Sequence, residues 1–153
     1  MNSEMLTGEL LGYSPDAMVF IGLGNEQCGD DGAGIRFVEH LQLSGLFPGA
    51  KYIIAGTTPE NHLGEIVREQ PQAVIFVDAA NWGAAAGALT WLTEDQIDTG
   101  RLSTHAFSLT LLARYLRRSA DIEVKYLVIQ LERTDIGTSL SGSVERALAQ
   151  MFA

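Results

Sequence analysis

Val19–Gly34, VFIGLGNEQCGDDGAG, decides how the rest of the chain reads. Val19, Phe20 and Ile21 form an apolar run without alternation, stopped by Gly22 and Gly24, which suits a central strand covered on both faces. Gly22, Gly24 and Asn25 then let the backbone turn sharply, because glycine accepts positive φ freely and asparagine tolerates it. Asp30 and Asp31 precede Gly32-Ala33-Gly34, and helical apolar spacing starts at Ile35. One carboxylate is enough to accept the free amide hydrogens of a first turn and complement its dipole, and Asp30 is read as that cap. A second carboxylate beside it is repelled unless a cation lies nearby, so Asp31 points to cation binding.

Outward from this stretch, Ile35, Phe37, Val38 and Leu41 carry a helix over about Gly34–Leu43, ended by Ser44-Gly45. A second strand is expected near Tyr52–Ile54. Thr57 and Glu60 have capping-box spacing with Pro59 in the first turn, so a second helix starts there and buries Leu63, Ile66 and Val67 before Pro71. Ala73–Asp78 is another continuous apolar run, and it finishes on a carboxylate. Ligands of open α/β sheets collect beyond the carboxyl ends of parallel strands, which gives Asp78 a functional reading beside the ordinary one of a loop cap. Ala88–Leu92 reads as a fourth strand and Thr93–Gly100 as a polar loop. Ser103-Thr104-His105 then leads into a helix whose buried face is assigned to Leu109, Leu111, Leu112, Tyr115 and Leu116, with Arg114, Arg117 and Arg118 solvated. A lone histidine is ordinarily a packed or capping residue, but His105 sits on a loop entering a helix, where functional groups concentrate. His40 and His62 fall within helices as surface residues. Ile122–Leu131 is a fifth strand, Thr134–Gly142 a turn-rich loop, and Val144, Ala147, Leu148 and Met151 mark a last helix. The order β-α-β-α-β-β-α-β-α predicts an α/β fold, with a mostly parallel, twisted sheet of roughly five strands and helices on both faces.

The length of 153 residues and 46% hydrophobic content suit one domain, expected over residues 17–153 with residues 1–16 as an N-terminal extension. A net charge of −9 argues against nucleic acid and anionic membrane as partners, since both require a basic surface. Cys28 is the only cysteine, so there is neither an internal disulfide nor a cysteine-rich zinc site, in keeping with a reducing cytoplasm. The N-terminal residues lack the basic start and unbroken apolar stretch of a secretory signal, and no apolar run approaches the roughly 20 residues of a membrane span. A cytoplasmic monomer is expected.

Asp31, Asp78 and His105 come from separate segments that the predicted topology brings to one crevice. Two carboxylates and an imidazole suit a first-row divalent metal with open coordination positions, better than calcium, which prefers oxygen alone, or structural zinc, which usually takes thiolates. A covalent nucleophile is the weaker idea, with no G-x-S-x-G and only Cys28 available. A dinucleotide fold would read Gly22-Leu23-Gly24, but Gln27 falls where its third glycine belongs and the acidic pair would repel a pyrophosphate. A phosphoacceptor receiver module would use Asp78 with a lysine at the end of the fifth strand, whereas Lys125 lies near its start. Another divalent-metal hydrolase uses the same three residues.

Gly22-Leu23-Gly24-Asn25 followed by Gly29-Asp30-Asp31-Gly32-Ala33-Gly34 resembles the opening of the [NiFe]-hydrogenase maturation endopeptidases. Gly56-Thr57 with Pro59-Glu60, Val77-Asp78-Ala79 and Thr104-His105 follow in the family's order. The chain particularly resembles the branch serving hydrogenase 3, the formate hydrogenlyase type. The resemblance implies a single-domain α/β/α sandwich that removes a C-terminal peptide from the hydrogenase large-subunit precursor once nickel is in place. The family's nickel-contacting positions map onto Asp31, Asp78 and His105, which are also the catalytic candidates, with nickel implied to arrive on the substrate. Asp31 stands where some members carry Glu, one methylene longer. Whether the carboxylates serve as ligands or as general base stays open at this level.

Overall fold

A computed structural model describes residues 3–98 and 106–152. Five strands form one sheet in the order β2-β1-β3-β5-β4: β1 Met18–Leu23, β2 Lys51–Gly56, β3 Ala73–Ala80, β4 Leu89–Leu92 and β5 Glu123–Gln130. β1 pairs in parallel with β2 and β3, and β3 with β5, while β4 closes the far edge antiparallel to β5. β1 and β3 are buried along their whole length, as continuous apolar runs require.

Helices cover both faces. On one side α1 Ser3–Glu9, α2 Ala33–Ser44 and α6 Gly142–Met151 pack Leu6, Phe37, Val38, Leu41, Val144 and Leu148 against Phe20, Ile75, Val77 and Leu127. On the other, α3 Leu63–Arg68, α4 Glu94–Asp98 and α5 Ala106–Ala120 bring Ile66, Ile97, Leu109, Leu112 and Leu116 onto Ile21, Val74, Phe76 and Tyr126. This is the expected three-layer α/β/α arrangement. No helix among the described residues is long and apolar enough to cross a membrane. Leu6 and Leu10, from the segment set apart as an extension, are buried with the sheet's apolar side chains, and Glu9 meets Lys125 at 2.9 Å.

Four local expectations are revised. Thr57 and Glu60 form no capping box; Pro59–His62 is a 3-10 turn preceded by Thr58, whose side chain accepts no cap bond. The polar stretch after β4 contains α4 because Thr93 and Gln96 exchange bonds, Thr93 N to Gln96 Oε1 at 2.9 Å and Gln96 N to Thr93 Oγ1 at 3.3 Å. That is the T-x-x-Q form of the capping box. Leu111 and Tyr115 do not belong to the buried face of α5: they are 51% and 50% exposed, because Leu109, Leu112, Ala113 and Leu116 already fill the contact with the sheet. Asp30 caps no helix, and its actual partners lie across the molecule.

Candidate active site at the carboxyl ends of the parallel strands

The turn after β1 folds onto itself. Asn25 N–H donates to Asp31 Oδ2 at 2.9 Å, Gln27 N–H donates to Asn25 Oδ1 at 2.9 Å, and Asp31 N–H donates to Cys28 C=O at 3.1 Å. Gly24 has φ of +124°, and a Cβ there would lie 1.7 Å from the Asp31 carbonyl oxygen. The turn's own backbone therefore fills the space that a dinucleotide fold would give to a pyrophosphate.

Asp30 and Asp31 have separate tasks. Asp30 is fully buried. Its Oδ2 accepts from Glu132 N, Arg133 N and Ser141 Oγ at 2.8, 3.1 and 2.8 Å, and its Oδ1 accepts from Ser141 N at 2.7 Å. It ties the loop after β5 to the loop after β1, while Ser141 caps α6 by accepting from Val144 N. Asp31 is only half-buried and lies at the surface of this braced turn.

Asp78 is the sixth residue of β3 and is buried at 3% exposure, with its Oδ1 accepting from Ala79 N at 2.8 Å. Its alternation along β3 matches Val74 and Phe76, which face α3 and α5. Asp78 accordingly shares an apolar crevice with Phe76, Ile97, Leu109, Tyr126 and Val128. Gly34 brings the two carboxylate-bearing segments together: a Cβ there would stand 2.3 Å from Val77 O, 2.7 Å from Leu23 O and 2.9 Å from Asp78 Cα. The start of α2 thus rests directly on the ends of β1 and β3.

His105 lies outside the described residues. Among the described residues no three His, Cys, Asp or Glu side chains gather to hold a metal ion. Cys28 is a free thiol in the braced turn, where its backbone bridges Thr138. His40 stacks on Phe152 at 5.8 Å and His62 pairs with Glu65 at 3.4 Å, so both belong to the surface structure. Lys125 is in register with Ile75, three residues short of the level of Asp78 and roughly 10 Å along the strand, which leaves a receiver reading without its lysine.

Sequence reasoning missed Gln130. Its buried side chain accepts from Trp82 N and Ala84 N at 2.9 and 3.2 Å and donates to Asn81 Oδ1 and Leu131 O at 3.0 and 2.9 Å, organising the small-residue loop that follows β3. The available signal was an amide closing the apolar second half of β5. A groove of about 460 Å³ adjoins the Asp31 turn, lined by Gly24–Gln27, Ile35 and residues 54–57.

A family model described as HycI, hydrogenase maturation protease, matches residues 35–153. The hydrogenase 3 maturation protease of Escherichia coli is 30% identical over 115 residues, spanning 73% of this chain and 71% of the relative. A crystal structure of HycI, a [NiFe] hydrogenase maturation protease from Thermococcus kodakarensis, superposes with a TM-score of 0.82 at 25% identity, over 97% of this chain and 94% of that one. A crystal structure of a hydrogenase 3 maturation protease gives a TM-score of 0.75 at 27% identity, over 89% and 86% of the two chains. With two carboxylates at the ends of neighbouring parallel strands and this agreement in sequence and fold, the chain belongs to the HycI family of hydrogenase maturation proteases.

Proposed function

We propose that this endopeptidase removes the C-terminal extension of a [NiFe]-hydrogenase large-subunit precursor after nickel insertion, and that it recognises the nickel carried by that substrate through Asp31, Asp78 and His105. The supporting observation is that Asp31, in the turn after β1, and Asp78, near the carboxyl end of the adjacent parallel strand β3, sit on segments joined by the close packing of Gly34. α5 begins one residue after His105, and its Leu109 lines the crevice that holds Asp78.

The chemistry is hydrolysis of one peptide bond. The substrate's metal polarises the scissile carbonyl or the attacking water, and a carboxylate that is not spent as a ligand takes the water's proton. The groove between residues 24–27 and 54–57 receives the extended tail next to Asp31. Coordination contributes binding energy only when the precursor is loaded, so metal insertion and cleavage occur in that order. The reaction is assigned to the cytoplasm, in keeping with a single cysteine in 153 residues.

The test is incubation with nickel-loaded and nickel-free precursor, read by the mass of the large subunit. Only the loaded form is shortened; equal processing of both rejects the metal gate. Asp31→Asn, Asp78→Asn and His105→Ala each slow cleavage by roughly 10²-fold or more. Unimpaired cleavage in all three variants removes the site assignment.

A further inference from the structure

The loop after β5 is bound to the turn that carries Asp30 and Asp31, and nothing in the cleavage chemistry uses it. It is held at several points: Gly29 N donates to Thr138 O at 3.0 Å, Asp30 N to Arg133 O at 2.8 Å, and Gly137 N to Gln27 O at 2.7 Å. Cys28 and Thr138 form a parallel bridge, and the Asp30 carboxylate holds both ends of the loop through residues 132, 133 and 141.

At its tip, Asp135–Thr138 closes a tight turn, with Thr138 N and Oγ1 both donating to the Asp135 carbonyl at 3.2 and 2.5 Å. Gly137, third in the turn, has φ of +82°, the value that a type II turn demands and glycine supplies. Ile136 therefore takes the second position, and it is 88% exposed.

A single exposed apolar residue needs no explanation in general. Leu11 and Leu43 are nearly as exposed, but they lie near the ends of helices remote from the strand ends. Ile136 differs in three respects. Its turn is cross-linked on both flanks and cannot swing to bury it. Glu132, Arg133, Thr134 and Asp135 beside it are all exposed, making an apolar knob with a polar rim, which is the anatomy of a binding hot spot. Finally, Gln27, which accepts from Gly137, is next to Cys28, which accepts from Asp31, so the knob is rigidly linked to the turn that carries the acid.

We propose that Ile136 is a positioning residue that inserts into an apolar depression on the folded body of the substrate, away from the bond that is cut. A convex knob requires a concave partner; a folded domain supplies one and an extended tail does not. Seated there, it fixes where the tail crosses Asp31 and Asp78. The inference rests on the endopeptidase reading.

Steady-state processing of loaded precursor by wild type, Ile136→Ala, Ile136→Asp and Ile136→Leu tests it, with thermal unfolding run in parallel. KM rises about ten-fold for Ala and further for Asp, while kcat stays within about two-fold, Leu restores most of the affinity, and the melting temperature is unchanged. A KM for Ile136→Asp equal to wild type, with wild type active, overturns the anchor and leaves the protease reading standing. Loss of kcat at constant KM also overturns it, by placing the residue in the chemistry. Wild-type protein that neither binds nor cuts the loaded precursor overturns both.

Discussion

Replacing Asp30 by Asn changes one atom in a group that the fold depends on. The carboxylate is fully buried and accepts four hydrogen bonds, one on Oδ1 from Ser141 N and three on Oδ2 from Glu132 N, Arg133 N and Ser141 Oγ. An amide must set its NH2 against donors. Its better orientation keeps the oxygen toward the three and turns the nitrogen to Ser141 N–H, which then loses its acceptor in a buried position. An orphaned donor costs about 1–3 kcal/mol, and three bonds that fall from charge-assisted to neutral lose roughly 0.5–1 kcal/mol each, so the total is about 4 kcal/mol. For a chain of this size that lowers the melting temperature by roughly 8–16 °C. Urea and thermal unfolding measure the change, and processing below the new melting point reports whether the Asp31 turn has lost its brace. Ser141→Ala and the double variant complete a cycle, expected to show strong coupling because the two side chains touch. A cost under about 1 kcal/mol with wild-type processing would refute the claim that this carboxylate holds the loops together.

Gly34→Ala forces a methyl against Val77 O, Leu23 O and Asp78 Cα, all backbone that cannot yield; about 3 kcal/mol of destabilisation is expected by urea unfolding, together with slower cleavage. Thr93→Ala removes half of the reciprocal cap on α4 and costs about 1 kcal/mol in the same assay, whereas a neutral result would mean that α4 is held by Ile97 alone. Burial raises the Tyr52 phenol above its ordinary value of 10.0, so the folded state holds that proton more tightly than the unfolded chain. The resulting stability is complete below about pH 10 and is lost as pH rises through the folded-state value; Tyr52→Phe should flatten the alkaline limb of a stability–pH curve, and an unchanged slope would assign that limb to other groups.

The succession of five strands and four of the six helices, the glycine turn, and the place of Asp31 after β1 and of Asp78 at the end of an apolar run were legible in the sequence, because each rests on local patterns: unbroken apolar runs, helical spacing and residues that permit tight turns. Partnership across the chain was decided only by tertiary structure. Asp30 reads as a local cap because sequence shows only its neighbours, yet its acceptor capacity is spent on amides at positions 132, 133 and 141. Leu111 and Tyr115 look as apolar as Leu109 and Leu112, and only the width of the contact with the sheet decides which of them face water. The roles of Gln130 and Ile136 depend on distant segments for the same reason. One organises a loop almost fifty residues earlier in the chain and the other is displayed by a turn clamped to residues 27–30, and hydrogen bonds between distant segments leave no periodicity to read.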